Sequence, residues 1–286
     1  MSGLIHEVGA GVTRFCVGDR VAIPFILSCG ACRECGRGKP TICESQEQPG
    51  FTQLGSFAEF VALPRADRNL SPLPEQVSFT AAAALGCRMT TAYRAIIQQG
   101  RLQKGETLAV FGCGGVGLSC VMIAVAHGAR VVAVDTSLEA MEKAVQLGAV
   151  GTIDANQSQK AIREAVSELT EGVMADVTVD AAGFQATCEA AVWCARRGGR
   201  MIQVGLPLGL QPQIPMARVA GWELELIGSH GMAASDFPAI LGMVARGELN
   251  PEALVAREVG IEEGAAAIMA MDNGSSLGMT MVTSFR

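Results

Sequence analysis

Four cysteines stand at positions 29, 32, 35 and 43, inside the stretch CGACRECGRGKPTIC. Zinc takes four tetrahedral ligands, and thiolates spaced C-x2-C-x2-C-x7-C can surround one ion from a single loop. Gly30, Gly36 and Gly38 permit the tight turns that such wrapping needs. The same opening begins a ferredoxin-type iron–sulfur run, but that run continues x3-C-P. Here the fourth cysteine comes after seven residues and precedes Glu44, so zinc is the preferred occupant. With all four positions filled by protein, the site is expected to be structural. The bland alternative is four unliganded thiols, against which stands the habit of clustered cysteines in a reducing compartment to bind metal.

A second constellation lies at AVFGCGGVG. It holds G-x-G-x-x-G as Gly112, Gly114 and Gly117, after a strand-like run and at the start of an apolar helix. Alone the spacing is weak, and the glycines could serve only to pack helix on strand. In this context the helix start presents unpaired N–H groups and a partial positive charge to a pyrophosphate. The next strand-like run ends at Asp135, eighteen residues past Gly117. A carboxylate there can accept both ribose hydroxyls of NAD and repel a 2′-phosphate. Thr136 and Ser137 follow, with no arginine for NADP. Cys113, within the turn, reads as a small filler.

These residues need elements to hold them. The chain has 286 residues, enough for one large or two ordinary domains. Hydrophobic residues reach 49% and charged ones 17%, a globular balance. The net charge of −6 and the absence of a basic run argue against a nucleic-acid partner. MSGLIHEVGAG has neither a basic nor an apolar leader region, so a reduced, cytoplasmic setting is expected. Leu108 to Ala129 carries no charged side chain, long enough to span a bilayer. Its glycines instead predict strand, turn, buried helix and a second strand, with no membrane segment.

Residues 1 to 75 read as short strands and turns: SGLIHEVG, GDRVAIPF, the cysteine loop and GSFAEFVALP. Residues 78 to 98 are alanine-rich with helical spacing. From Glu106 to Ser229, strand-like TLAVFG, RVVAVD, VGTID, ADVTVDAAG, GRMIQVGLP and LELIGSH alternate with helical SLEAMEKAVQLGA and QATCEAAVWCARRGG. Alternation of this kind predicts right-handed crossovers and a parallel sheet, an α/β fold. The tail offers two helical stretches and two short strands, LVAREV and MTMVTSF.

Taken in order, the motifs resemble the zinc-dependent medium-chain alcohol dehydrogenases over the whole chain. GAGVTRFCVGDRVAIPF is similar to the family's G-x-G-V-x5-G-D-R-V stretch, and residues 29 to 43 to its structural zinc lobe. LGCRMTTAYRAI resembles the entry to its linking helix, and FGCGGVG its cofactor turn. The resemblance implies a GroES-like β domain over 1–85 and 231–286, and a doubly wound Rossmann NAD domain over 86–230. It implies hydride transfer between a small alcohol or aldehyde and the nicotinamide, in a homo-oligomer, dimer or tetramer. By position it places Thr91 and Val116 against the nicotinamide, Gly205 near it, and Gly115 within the cofactor turn.

The resemblance also implies a catalytic zinc held by a cysteine of C-G-x-D, a histidine of G-H-E and the cysteine at Cys87. Neither of the first two motifs occurs in these 286 residues. The chain is therefore expected to be an N-terminally shortened member with two catalytic ligands missing. Leu4, Val21 and Ile23 are then expected to be poorly covered. His6-Glu7 is no substitute, since its register makes His6 a strand surface residue. His127, before Gly128, is expected to cap an apolar helix. His230, at a sheet's carboxyl edge, could meet the cofactor. Three activities compete: an NAD-dependent zinc alcohol dehydrogenase, a non-catalytic NAD- and zinc-binding homologue, and a zinc-free quinone reductase. Cys29 to Cys43 and Cys87 argue against the last.

Overall fold

Two units divide the chain in a computed structural model that describes residues 1–207, 209, 211–273 and 277–285. Residues Met1–Thr90 and Gly231–Arg286 form the first, Thr91–His230 the second.

In the first unit, strands β1 (Ser2–Leu4), β2 (Arg20–Ala22) and β3 (Ser71–Pro72) make an antiparallel sheet in that order. They are short because glycine, proline and aspartate interrupt every apolar run. Phe15, Val21, Ile23, Leu27 and Leu70 form a small core around it. Val21 and Ile23 are thus well covered, contrary to expectation, while Leu4 is exposed. GSFAEFVALP is a second correction: it forms no strand. Alternating apolar residues show only that one face could be buried. Without a neighbouring strand to supply ladder partners, the segment runs as irregular chain.

The second unit is built on a six-stranded parallel sheet, β4 (Thr107–Phe111), β5 (Arg130–Asp135), β6 (Gly151–Asp154), β7 (Ala175–Asp180), β8 (Ala195–Gln203) and β9 (Glu225–Gly228). Its spatial order is β6-β5-β4-β7-β8-β9. The central runs LAVF and VVAV are buried on both faces, as continuous β-branched and apolar strands in parallel sheets are. The chain moves outward from β4 to β6, then returns to β7 on the other side of β4. That reversal opens a crevice at the carboxyl ends of β4 and β7, where open α/β sheets bind ligands.

Serines start two of this unit's helices. The hydroxyls of Ser137 and Ser158 accept from the N–H groups of Ala140 and Ala161, satisfying donors left free at a helix start. The Gly115–Ala126 helix is buried almost throughout. At 12 residues it is too short to span a bilayer, and no helix among the described residues is long and apolar enough to do so.

Back in the first unit, β10 (Val255–Gly260) pairs in parallel with β11 (Met279–Ser284). Helices Phe237–Ala245 and Ile261–Ala270 complete it.

Candidate functional site

The cysteine loop folds as its spacing requires. Cys35 opens towards the others from a one-turn helix, Arg33–Gly36, and Cys43 follows a short 3-10 turn begun by Pro40. The sulfurs of Cys29, Cys32, Cys35 and Cys43 all lie within 4.8 Å of one another. Backbone N–H groups of Ala31 and Cys32 donate to the Cys29 sulfur at 3.4 and 3.3 Å. Those donors bring the Cys29 thiol down to about 6, because they stabilise its thiolate. Burial pushes Cys43 up to about 11. Four soft donors this close together suit zinc, so the residues present fit a structural ion. Gly30 adopts φ +82, and a Cβ there would press on the Arg68 side chain at 2.9 Å, so this turn needs glycine.

Cys87 stands elsewhere in the first unit. The helical path that begins with Phe79 is broken at Gly86, where φ is 20 and ψ −135. Cys87 comes next and is exposed. It lines a cavity of ≈ 1110 Å3 together with His6, Glu59, Phe57, Phe60 and Met281. Among the described residues the only group of three or more His, Cys, Asp or Glu able to hold a metal is the four-cysteine cluster. Cys87 is not gathered with two further ligands, so the residues present do not fit a catalytic zinc and no reaction step is routed through one. His6 lies past the end of β1, exposed, with its ring 4.7 Å from that of Phe60.

The cofactor constellation assembles within the second unit. β4 ends at Phe111 and Gly112 turns with φ +91. Gly114 then precedes the helix, and a Cβ on it would meet nothing within 4 Å. Gly117 tolerates no side chain at all: a Cβ would stand 1.8 Å from the Gly112 carbonyl oxygen. The glycines thus bring the turn against the helix and leave an open cradle at Gly114, with Gly115 and Val116 forming the helix's first turn. Asp135 sits at the end of the neighbouring strand, its carboxylate accepting from the N–H of Cys113 at 2.5 Å and of Ser137 at 2.8 Å. Cys113 is buried, and burial with the nearby Asp135 charge pushes its thiol up to about 12, as suits a filler.

Gly205 follows β8, and a Cβ there would stand 2.3 Å from the Gly183 nitrogen. Thr91 opens the second unit with its hydroxyl buried and without a hydrogen-bond partner, as is that of Thr178 on β7. His127 caps the Gly115–Ala126 helix at its carboxyl end as expected, and His230 is exposed at the unit's last residue. An open glycine cradle and an acid at the adjacent strand end fit a dinucleotide.

Sequence reasoning did not find Asp180. It ends β7 fully buried, and four donors converge on its carboxylate. The signal was present in DAAG, an acid at a strand end followed by small residues, but its partners come from positions 182, 183, 188 and 203.

A parallel sheet with a glycine turn at its switch point and an acid at the next strand end defines a dinucleotide-binding fold. Comparison with known proteins narrows this class. Residues 1–75 match the alcohol dehydrogenase GroES-like domain and residues 115–246 the zinc-binding dehydrogenase domain. An alcohol dehydrogenase of Geobacillus stearothermophilus is 37% identical over 249 residues, covering 87% of this chain and 72% of that one. A sorbitol dehydrogenase of Halalkalibacterium halodurans is 31% identical, covering 96% and 80%. Among solved structures, an alcohol dehydrogenase from Thermus sp. ATN1 superposes with a TM-score of 0.89 at 32% identity, over 99% of this chain and 82% of that one. The chain belongs to the zinc-dependent medium-chain alcohol dehydrogenase family, and its family function is oxidoreduction.

Proposed function

We propose that this protein uses NAD+ to dehydrogenate a small alcohol, or NADH to reduce the matching aldehyde. The Asp135 carboxylate carries this reading: it stands at a strand end beside the Gly112–Gly117 turn, held by the Cys113 N–H at 2.5 Å. Gly112, Gly114, Gly115 and Gly117 would let the pyrophosphate approach the helix start, and Asp135 would take the ribose hydroxyls. Thr91, Val116 and Gly205 would bound the nicotinamide. Bound NAD supplies the hydride acceptor. Cys29, Cys32, Cys35 and Cys43 would hold one structural zinc, and Cys87 would contribute to the substrate side. The reading includes a GroES-like part over 1–85 and 231–286, a Rossmann part over 86–230, a cytoplasmic setting and a homo-oligomer. It includes neither a nucleic-acid nor a membrane partner.

Titration with NADH and NADPH, followed by the nucleotide's fluorescence, tests it. NADH is expected to bind more tightly, and Asp135→Ala to narrow the preference about tenfold, as loss of one close like-charge repulsion would. Tighter binding of NADPH to the unaltered chain would overturn the assignment. A second reading is favoured because, among the described residues, no group of three metal-binding side chains includes Cys87. On that reading the 286-residue chain binds NAD and zinc without turnover. Oxidation of a panel of alcohols, lost on Cys87→Ala, would rule it out.

A further inference from the structure

At the carboxyl edge of the second unit's sheet, three turns close on one another. They follow β4 at Gly112, β7 at residues 181–183 and β8 at residues 204–206. A Cβ on Gly112 would meet the Ala182 Cβ at 2.7 Å, and one on Gly183 would meet the Leu206 carbonyl oxygen at 2.8 Å. Beneath them lies Asp180. Its Oδ1 accepts from the N–H groups of Ala182 and Gly183, both at 3.0 Å. Its Oδ2 accepts from Gln203 Nε2 at 2.7 Å and from the Cys188 thiol at 2.9 Å. Its main-chain oxygen takes the N–H groups of Val204 and Gly205 at 3.0 and 2.9 Å. Gln203 Nε2 also reaches the Gly205 oxygen at 2.7 Å.

A carboxyl group that only accepts, from four donors, is arranged as a carboxylate rather than as an acid. The thiol is a donor throughout, since burial first and the Asp180 hydrogen bond second push it up to about 12. None of the ion pairs among the described residues includes Asp180. A fully buried carboxylate with dipoles around it but no counter-ion is uncommon, because burying a charge costs heavily unless it is paired. Asp180 ends β7 opposite Phe111 of β4, so its charge stands at the carboxyl edge of the sheet beside the crevice between these strands.

We propose that Asp180 is a positioning residue that locks the β7 and β8 turns together and biases this crevice towards the positively charged, oxidised nicotinamide. The proposal rests on the reading of this unit as an NAD site. The oxidised ring carries a positive charge and the reduced ring none. A nearby uncompensated carboxylate therefore strengthens binding of one form and leaves the other nearly unchanged. A purely structural anchor would weaken both forms alike on removal.

The test measures dissociation constants of NAD+ and NADH for the full chain and three variants. Asp180→Asn removes the charge and keeps acceptance from Ala182 and Gly183. Gln203→Lys neutralises the charge in a second way, with an ammonium that can replace both hydrogen bonds of the amide, and it serves where Asp180→Asn does not fold. Asp180→Asn combined with Gln203→Glu moves the charge to the adjacent side chain. Each neutralising variant is expected to raise the ratio of the NAD+ to the NADH constant about tenfold. The charge-moved variant should recover most of it. A folded neutral variant whose ratio stays within about twofold of the parent's, or which weakens both forms equally, would overturn the proposal. If the unaltered chain binds neither form, the NAD reading fails and takes this proposal with it.

Discussion

The two units solve the same problem, burying apolar surface around backbone that must stay hydrogen-bonded, with unequal means. In the second unit six strands pair in parallel, and Phe111, Val132, Val134 and Ile153 sit in a core shared by sheet and helices. In the first unit the sheets are of three short strands and two, and the segment from residue 51 to 60 exposes Phe51, Leu54, Phe57 and Phe60. Leu54 is 90% exposed. What the first unit lacks in ladder it makes up with four converging thiols, since a metal can hold together a lobe whose chain is too broken by turns to pair its own strands. The contrast predicts that the two units answer to different insults.

The largest effect should come from the metal. Structural zinc contributes about 10 kcal/mol or more of binding free energy that is also folding free energy. Stripping the ion with a chelator, or replacing Cys32 with Ser, is expected to unfold the first unit while NADH binding by the second persists. Elemental analysis should return about one zinc per chain, from four cysteines in one cluster. Two tightly held zincs, or a soluble, zinc-free Cys32→Ser protein with an unchanged melting temperature, would remove the basis of the contrast.

The second unit should fail instead through its buried charge. Arg200, on β8 and almost fully buried, reaches the Glu106 carboxylate at 2.5 Å and the main-chain oxygens of Gly100 and Arg101 at 2.9 and 3.0 Å. Arg200→Ala strands Glu106 and both carbonyls, at a cost of about 3 kcal/mol. Denaturant unfolding followed through NADH fluorescence should show this loss, with zinc content unchanged. A variant that instead released zinc would show that the contrast between the units is drawn in the wrong place.

How far these features could be read in the sequence follows from where their partners lie. The cysteine loop and the Gly112 turn were legible because each is local: ligands within fifteen positions, and a turn bounded by its own strand and helix. β4 and β5 were legible from their unbroken apolar runs. GSFAEFVALP was misread because alternation reports the chain's half of a pairing and says nothing of the other half. Asp180 and Arg200 went unnoticed for the same reason on the polar side. Arg200 finds its acceptors about a hundred positions away, and Asp180 draws donors from the turn after β7, from a helix and from β8. An acid or an arginine in a strand reads as a surface residue until those partners are placed.

The smallest expected effect gives the sharpest comparison, because it applies one local motif to both units. Ser78 starts the Phe79–Ala84 helix of the first unit, accepting from the Ala81 N–H at 2.9 Å, and Ser158 starts the Gln159–Leu169 helix of the second, accepting from Ala161 at 3.2 Å. Each hydroxyl satisfies one donor at a helix start, so each serine-to-alanine change should cost about 1 kcal/mol. Ser78 also donates to the Glu252 carboxylate, which ties its helix start to the returning part of the chain and adds a little to its loss. If the first unit depends on its metal and the second on its core, Ser78→Ala should lower the transition that moves with zinc concentration. Ser158→Ala should lower the one that moves with NADH, since a ligand stabilises only the fold that binds it. Calorimetry of both variants with each ligand present and absent separates the two. One shared transition, shifted equally by either substitution and by either ligand, would mean that the units unfold together and that the thiol cluster supports the parallel sheet as much as its own lobe.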